Sequence, residues 1–282
     1  MVRIAILVLA HKDEKQINFL LEHLSKDFDV YLHIDKKSNV TIKANDNIFS
    51  YCKYKVYWGG VSQILATLYL LEKAYRKGYD RYILISGQDL PIVSNKEIMR
   101  FFEDNNNEYI DGSKMPVKGL PGNGGLNRIT KYWPTYFYRG RKNILLKIAY
   151  IFFRCAFEVF SRIFPRSIDY EFWKGSQWVN LTHACVTKIF DFLDKNEKYL
   201  TRFKWTSCAD EIFFHTIIFN MEWLTVINDD LRYTNWKDGP EHPRTLRLCD
   251  YDKICNSGKL FARKFDSVVD EKIIKNVYAK IM

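Results

Sequence analysis

The sequence predicts an α/β fold, in which one domain is built on an open, mostly parallel β-sheet with helices on its faces. In the first hundred residues, short apolar runs alternate with segments whose apolar residues recur at helical spacing, a pattern typical of such sheets. A chain of 282 residues can bury the core of one large domain, and no repeat or linker divides it. We therefore expect a single domain over residues 1–282.

The N-terminal elements follow one another in order. Residues 3–9 form a continuous apolar run, as expected of a strand buried on both faces. Further strands are predicted at 30–34, 55–58 and 81–85. Helices with inward apolar stripes lie between and after them. Ser62 is the predicted N-cap of the second helix, and Ser94 with Glu97 forms a capping box for the third.

The remainder of the chain is less regular. Its predicted elements are a mobile glycine-rich loop at 119–125, an apolar and basic helix at 141–165, a strand at 177–181, a helix capped by Thr182, a helix carrying Asp210 and Glu211, short strands near 223–227 and 231–236, and an amphipathic helix from about residue 268.

A binding pocket is predicted at one edge of this sheet. Open α/β sheets bind ligands at the carboxyl ends of their strands. Asp35, Trp58 and the turn from Gly87 to Asp89 each directly follow a predicted strand. We therefore expect these residues to line a pocket built mainly from the first hundred residues.

The cysteine pattern indicates a reducing compartment. The six cysteines contain no C-x-x-C pair and no zinc-ligand spacing, which favours reduced, buried thiols. The apolar run at residues 4–10 is short for a signal peptide, and a buried strand explains it better. No stretch approaches the roughly 20 apolar residues that span a bilayer. We expect a cytoplasmic protein without a membrane anchor.

One segment carries most of the excess positive charge. The chain has a net charge of +10, and residues 131–166 hold eight Lys or Arg against the single acid Glu158. This local patch implies a local anionic partner. Aromatic residues lie between its charges, as in helices at an anionic membrane surface. The alternative is a core helix with a solvated basic edge.

Two pairs of charged residues are candidates for chemistry. Asp210 and Glu211 could include a general base, or could merely favour a helix N-terminus. Arg263 and Lys264 lie between apolar residues, which suggests a packed backbone and cations suited to phosphate. The alternative for this second pair is a solvated surface position.

Eight short blocks, in this order, resemble the core-2/I-branching β-1,6-N-acetylglucosaminyltransferases and the related protein xylosyltransferases (glycosyltransferase family 14). The blocks are His33-Ile-Asp35, Trp58-Gly-Gly-Val-Ser62, Ser86-Gly-Gln-Asp-Leu-Pro91, Lys174-Gly-Ser-Gln-Trp178, Asp210-Glu211, Arg232-Tyr-Thr-Asn-Trp236, His242-Pro-Arg244 and Leu260-Phe-Ala-Arg-Lys-Phe265. They run from residue 33 to residue 266, nearly the whole chain. The resemblance implies a GT-A-like (Rossmann-like) mixed sheet flanked by helices, a UDP-sugar donor and inverting, metal-independent chemistry.

The resemblance also implies donor-binding residues. Lys264 matches the family's lysine on the UDP diphosphate. Arg244 is the best match for its arginine partner, with Arg247 as the competing choice. Asp35 matches a uridine-binding acid, and Trp58 stands where an aromatic ring could stack on uracil. Gly87, Asp89 and Arg263 complete the predicted donor site.

Metal-dependent GT-A transferases usually end this strand in Asp-x-Asp, whereas only Asp89 stands here. Asp27-Phe-Asp29 and Asp250-Tyr-Asp252 match the letters elsewhere, but neither follows a buried strand correctly. We therefore expect no metal and no other cofactor.

Catalytic and acceptor residues follow in the same way. Glu211 matches the family's catalytic base, and Trp236 matches an acceptor-site tryptophan. Asp210, Arg128 and Tyr132, with Lys131 beside it, are also assigned to the acceptor side. On this interpretation residues 1–110 form the nucleotide-binding half and 111–282 the acceptor and catalytic half, with the C-terminal segment completing the donor pocket.

The predicted activity is transfer of a sugar, expected to be N-acetylglucosamine in β-1,6 linkage, to a saccharide acceptor. We expect the chain to be without the membrane anchor and cysteine framework of animal members, so it resembles a cytoplasmic bacterial relative. A lipid-linked saccharide at the inner membrane face is then the expected acceptor, in surface polysaccharide or lipid-linked glycan synthesis, with peripheral contact to anionic membrane.

Two other classes of function are less consistent with the residues. One is a non-catalytic carbohydrate- or membrane-surface-binding protein on a transferase fold, against which Glu211 and Lys264 argue. The other is nucleic-acid binding, suggested only by the basic aromatic segment. Because no nucleic-acid motif is present, we expect no nucleic-acid partner.

Overall fold

The computed structural model describes residues 2–134, 144–237 and 243–282, with the backbone alone for residues 144–146. The strands are β1 Ile4–Ala10, β2 Asp29–Ile34, β3 Ile48–Tyr51, β4 Arg81–Ser86, β5 Asp89–Pro91, β6 Glu108–Tyr109, β7 Ser113–Lys114, β8 Trp173–Lys174, β9 Asn180–Thr182, β10 Val226–Ile227, β11 Arg232–Thr234 and β12 Phe261–Arg263.

The helices are α1 Glu14–Leu24, α2 Val61–Tyr75, α3 Asn95–Phe102, α4 Pro121–Gly124, α5 Asn127–Thr130, α6 Ile144–Ile163, α7 His183–Lys195, α8 Glu197–Arg202, α9 Phe213–Phe219, α10 Tyr251–Cys255 and α11 Glu271–Ile281. Short 3-10 helices lie at Phe203–Trp205, Ala209–Glu211 and Leu248–Asp250.

A seven-stranded mixed sheet forms the centre of the domain, in the order β10-β6-β9-β4-β1-β2-β3. Strands β4, β1, β2 and β3 are parallel, whereas β9 is antiparallel to both β4 and β6. A second sheet has the order β11-β12-β5, and β7 pairs with β8. The predicted α/β fold, a single domain with a mixed sheet flanked by helices, is confirmed.

The core lies on both faces of the central sheet. Side chains alternate between the two faces of a strand, so Ile6 and Val8 of β1 belong to one apolar cluster and Ala5 and Leu7 to the other. Helices α1, α3 and α11 cover the first face, while α2, α7 and α9 cover the second. Because both faces are buried, β1 reads as a continuous apolar run.

The strand predicted at 55–58 is wrong. The third strand is β3, and the segment after it is an irregular loop whose backbone N–H groups bond to side chains. His33 Nε2 accepts from Tyr54 N at 3.1 Å, and Ser62 Oγ accepts from Tyr57 N at 2.8 Å. Ser62 therefore does not cap α2, which begins after Gly60 without a side-chain cap.

Other local predictions had mixed outcomes. The capping box of Ser94 and Glu97 and the cap at Thr182 are confirmed. The predicted glycine-rich loop contains α4, a four-residue turn in which Gly122 and Asn123 have positive φ. All six cysteines are free, as predicted, but Cys52, Cys155 and Cys249 are exposed rather than buried.

Candidate active site

The carboxyl ends of three neighbouring strands meet at one edge of the central sheet. Asp35 N donates to Ala10 O at 2.8 Å, and Gly87 N donates to Leu9 O at 2.9 Å. The residues that follow β1, β2 and β4 therefore share this edge. They include the predicted Asp35 and Gly87, and also Lys12 directly after β1.

The C-terminal segment reaches the same edge through strand pairing. Strand β12 is antiparallel to β5, so that Arg263 lies opposite Asp89. Just beyond this pair, Phe265 N donates to Gln88 O at 2.8 Å. Lys264 lies between these two contacts and is therefore held beside the turn after β4.

Asp89 contacts both the turn after β4 and Arg263. Its side chain is fully buried (0% exposed), its Oδ2 accepts from Ser86 N at 2.7 Å, and its Oδ1 lies 3.2 Å from Arg263 Nε. The guanidinium of Arg263 also lies over the ring of Trp178, 4.2 Å from its centroid. The predicted donor-binding role of Asp89 stays a prediction, and in this structure its carboxylate contacts Ser86 and Arg263.

Positive charges cluster where Lys264 reaches the edge. Burial, followed by the charges of Arg263 and Lys12, lowers the pKa of Lys264. Burial, Lys12 and Lys264 likewise lower the pKa of His11. Crowded, partly desolvated cations gain free energy when an anion neutralises them. The cluster therefore fits an anionic group, and Asp266 is the acid that pairs with Lys12, at 2.6 Å.

His11 and Lys12 were not predicted as site residues. They follow β1 at once, and β1 runs between β2 and β4. The same rule that selected Asp35 and Gly87, the carboxyl ends of parallel strands, would have selected them.

Asp35 anchors the loop that carries Trp58. Asp35 Oδ1 accepts from Lys37 N at 3.0 Å and from Val56 N at 3.1 Å, and Lys37 Nζ lies 3.3 Å from Oδ2. The side chain of Trp58 is exposed. Asp35 therefore holds residues 54–57 against the end of β2 and sets the position of the tryptophan ring.

The Trp58 loop touches the segment of the predicted base. Ala209 N donates to Gly59 O at 3.2 Å, so the loop contacts the first residue of the 3-10 helix Ala209–Glu211. Gly59 has a φ of 66°, which glycine adopts without strain. A Cβ at this position would lie 3.4 Å from Cys208 N.

Glu211 is held by two contacts. Its Oε2 accepts from Arg128 Nη1 at 2.7 Å, and its backbone carbonyl accepts from Gly175 N at 2.9 Å. The side chain is 32% exposed, so one part is fixed by Arg128 and another reaches solvent. Arg128, predicted on the acceptor side, is thus brought directly to the predicted base.

Asp210 points into the protein. It is buried, and its Oδ1 has no hydrogen-bond partner among the described residues. Burial, followed by the negative charge of Glu211, raises the pKa of Asp210 well above its usual range. Glu211 and Asp210 therefore differ in their surroundings, although they are adjacent in the chain.

A third carboxyl group, Asp111, lies close to Glu211 and was not predicted. Its Oδ1 accepts from Ser176 N at 2.6 Å, and burial, followed by the charge of Asp230, raises its pKa to about 6. A Cβ on Gly175 would lie 2.0 Å from Asp111 O, so only glycine fits between Asp111 and Glu211. The position of Asp111 just after β6 is the signal that could have identified this residue from the sequence.

The segment from Gly175 to Trp178 connects Glu211 to the cation cluster. Gly175 bonds Glu211, Gln177 Oε1 accepts from Gln63 Nε2 at 2.9 Å, and Trp178 stacks under Arg263. Together with the Trp58 loop, this segment closes a ring of contacts around one site.

Arg244 and Trp236 lie near the end of β11. Thr234 pairs with Arg263, Arg244 N donates to Asn235 O at 2.8 Å, and Leu246 N donates to Lys264 O at 2.8 Å. Arg244 forms an ion pair with Asp250, whereas the side chain of Arg247 is exposed. The side chain of Trp236 is exposed next to residues 238–242, and the predicted His242 lies outside the described residues.

Lys131 and Tyr132 contact helix α6. Lys131 Nζ lies 2.6 Å from Glu158, and the ring of Tyr132 packs on Phe160 with centroids 5.1 Å apart. These two residues, which were predicted on the acceptor side, therefore hold α6 against the body of the protein, whereas Arg128 contacts Glu211.

Three of the four acids in the two Asp-x-Asp matches elsewhere in the chain are engaged by other groups. Asn95 Nδ2 donates to Asp27 at 2.8 Å, Tyr79 OH donates to Asp29, and Asp250 is paired with Arg244. Over residues 2–134, 144–237 and 243–282, no group of three or more His, Cys, Asp or Glu side chains is arranged to hold a metal ion.

A family model named "Branch: Core-2/I-Branching enzyme" matches residues 4–255, which is most of the chain. The chain belongs to the Core-2/I-Branching enzyme family. The family predicted from the eight blocks is thereby confirmed, and the predicted enzyme class, glycosyltransferase, is confirmed at the level of the family.

Curated relatives of this Core-2/I-Branching family member are transferases by name. Beta-glucuronosyltransferase GlcAT14A of Arabidopsis thaliana is 26% identical over 290 residues, covering 95% of this chain and 59% of the relative. Xylosyltransferase 2 of Pan troglodytes is 25% identical over 314 residues, covering 97% of this chain and 33% of the relative. Human xylosyltransferase 1 is 23% identical, and the match covers 30% of its length. The chain therefore spans between about a third and three fifths of the length of these relatives.

In the parts of the chain that the structure describes, no helix combines the length and apolar character needed to cross a bilayer.

Proposed function

We propose that this chain transfers a sugar from a UDP-sugar to a hydroxyl group of a saccharide, with inversion at the anomeric carbon. The observation that supports this is the ring of contacts that joins a carboxylate, Glu211, to a cation cluster at Lys264. A general base and a separate anion-binding site are the two parts that such a transfer needs.

The proposed reaction is a single displacement. The acceptor hydroxyl oxygen attacks the anomeric carbon while its proton passes to the Glu211 carboxylate. The bond from the anomeric carbon to the diphosphate oxygen breaks, and UDP leaves with the bonding electron pair. Arg128 orients Glu211 through their 2.7 Å contact. Lys264 and Lys12 compensate the charge that develops on the diphosphate.

The donor contacts are proposed on the same basis. The exposed ring of Trp58, the end of β2 at Asp35 and the turn at Gly87 form the uridine side. Arg244 is proposed over Arg247 as the second diphosphate cation because its side chain is partly buried, whereas that of Arg247 is exposed. Charge compensation by side chains makes the proposed reaction independent of a metal.

The donor sugar is proposed to be N-acetylglucosamine, joined in β-1,6 linkage. Relatives are named for glucuronosyl and xylosyl transfer, so these sugars are the alternatives to test. The acceptor is proposed to be a saccharide of a bacterial surface polysaccharide or lipid-linked glycan, with Trp236 and Arg128 on its side of the site. A cytoplasmic location is part of this proposal, and the six free cysteines favour a reducing compartment.

A donor screen tests the proposal. The purified chain is incubated with a saccharide acceptor and with UDP-linked N-acetylglucosamine, glucuronic acid or xylose, with and without EDTA. Mass spectrometry measures the released nucleotide and the mass added to the acceptor. We expect UDP release and a product heavier by one sugar with at least one donor, at equal rates in EDTA. UDP binding without transfer or hydrolysis of any donor would contradict the proposal and support a binding protein. Loss of activity in EDTA that a divalent cation restores would contradict metal independence but not the proposed sugar transfer.

A further inference from the structure

Helix α6 exposes an apolar face to solvent along its whole described length. Ile148, Phe152, Val159 and Ile163 are separated by four, seven and four residues, which places them on one side of a helix. Phe152 is 70% exposed and Ile163 is 64% exposed. Further exposed apolar side chains flank this row: Ile151, Phe153, Phe160 and Phe164. The row and its flanks, called the α6 face below, form a patch of a kind that marks an interaction surface.

The opposite side of α6 is fixed to the body of the protein. Glu158 pairs with Lys131 at 2.6 Å, and Ser161 Oγ accepts from Tyr132 N at 2.9 Å. The ring of Phe157 packs on Trp205 with centroids 5.2 Å apart. These contacts set the rotation of the helix, so the α6 face is directed outward by packing on its other side.

The surroundings of the α6 face are basic. Arg162 has a side chain that is 76% exposed, and Lys147 is also exposed. The single acid between residues 131 and 166, Glu158, is already engaged by Lys131 and by Arg162 at 3.7 Å. The partner of this surface must therefore be both apolar and anionic.

We propose that the α6 face docks on an anionic membrane surface, with its apolar side chains between lipid headgroups and acyl chains. An amphipathic helix with Lys or Arg beside a large apolar face binds bilayers in this way. A second copy of the chain fits less well, because two copies would bring Lys147 and Arg162 of each chain close together.

The position of α6 identifies the substrate class on the acceptor side, an inference that rests on the proposed function. Lys131 and Tyr132 mount the helix, and α5, which ends at Thr130, carries Arg128 to Glu211 at 2.7 Å. The acceptor side of the site therefore lies close to the docked helix. A saccharide linked to a membrane lipid is the acceptor that this placement favours.

Vesicle sedimentation tests the docking. Vesicles of phosphatidylcholine alone are compared with vesicles of equal parts phosphatidylcholine and phosphatidylglycerol. We expect the wild-type chain to bind the anionic vesicles at least about tenfold more tightly. The double variant Phe152→Ser/Ile163→Ser should lose at least about tenfold in affinity, and Arg162→Glu should lose about tenfold, in a salt-dependent manner.

Matched controls separate the α6 face from general effects of substitution. Trp223→Ser removes an exposed aromatic ring elsewhere, and Lys280→Glu reverses an exposed charge in α11. Both should bind vesicles like the wild type. Unchanged binding of the double variant, or no preference of the wild type for anionic vesicles, would overturn the proposal. A dimer in ultracentrifugation that the double variant abolishes would show instead that two copies share this face.

Vesicle binding requires no catalysis, so its outcome is independent of the proposed function. Glu211→Gln should bind anionic vesicles as the wild type does. The double variant should keep its rate with a soluble saccharide and lose at least about tenfold with a lipid-linked saccharide in anionic vesicles. Equal rates of wild type and double variant with the lipid-linked saccharide would contradict the acceptor assignment.

Discussion

Glu211 and Asp89 both follow turns of the chain, and their partners give them different roles. Asp89 is fully buried beside Arg263, whereas Glu211 is partly exposed beside Arg128. In each case the partner is far away in the sequence, so local spacing could not distinguish the structural carboxylate from the candidate base. Only the packing of β12 against β5 and of α5 near residue 211 brings these partners together.

Replacement of Arg128 by methionine tests the orientation of Glu211. Without the 2.7 Å contact, the carboxylate is free to rotate away from the acceptor hydroxyl. We expect kcat to fall by about 10- to 100-fold, while the Kd for UDP stays within about twofold. Steady-state kinetics and calorimetry measure the two quantities. Arg76→Met, at an exposed ion pair of α2, is the control. A variant with full kcat would show that Arg128 does not orient the base.

Asp111 gives the protein a pH-dependent stability. Its pKa is raised to about 6 in the folded protein, against an ordinary value of about 3.9. Its contribution to stability is therefore complete below about pH 4 and is lost as the pH rises through about 6. In Asp111→Asn this loss should disappear, and the free energy of unfolding at pH 7 relative to pH 4 should rise by up to about 3 kcal/mol.

Urea unfolding at pH 4, 5, 6 and 7 measures this difference for the wild type and Asp111→Asn. Asp194→Asn, at an exposed position of α7, is the control and should keep the wild-type profile. Parallel profiles for the wild type and Asp111→Asn would show that Asp111 does not titrate in this range.

At the scale of elements, strands buried on both faces were predictable and the site loops were not. Strand β1 has an apolar run that signals burial without any knowledge of its neighbours. Residues 54–57 resemble a strand in composition, but their N–H groups bond to His33, Asp35 and Ser62. Such bonds between side chain and backbone are invisible to a periodicity argument.

The pairing of β5 with β12 holds Lys264 beside the turn after β4. Replacement of Asp89 by asparagine tests whether the position of Lys264 depends on this pairing. The substitution leaves Arg263 largely buried without its counter-charge. We expect a loss of about 3 kcal/mol in the free energy of unfolding, and a Kd for UDP raised about tenfold because Lys264 is less well held. Denaturation and calorimetry measure these effects, with exposed Asp46→Asn as the control. Unchanged UDP binding in a destabilised variant would show that Lys264 does not depend on this pair.

At the scale of the whole molecule, the two predicted halves share one sheet. Strand β9, from the second half, lies between β4 and β6 of the first half, and β12 extends β5. The functional division at residue 110 is therefore not a boundary in the fold. Lys12 and Lys264 come from opposite ends of the chain and influence each other at one edge. Sequence order suggested that the C-terminal segment completes the pocket, but it did not reveal Lys12 as a neighbour.

The most direct test of the account compares the wild type with Glu211→Gln and Lys264→Met, measuring the Kd for UDP and the transfer rate on the same preparations. In the proposed reaction Glu211 is the general base and Lys264 contacts the diphosphate. Glu211→Gln should keep the Kd within about twofold while its rate falls by about 10² to 10⁴. Lys264→Met should raise the Kd at least about tenfold. A wild-type rate in Glu211→Gln, or wild-type UDP binding in Lys264→Met, would contradict the account.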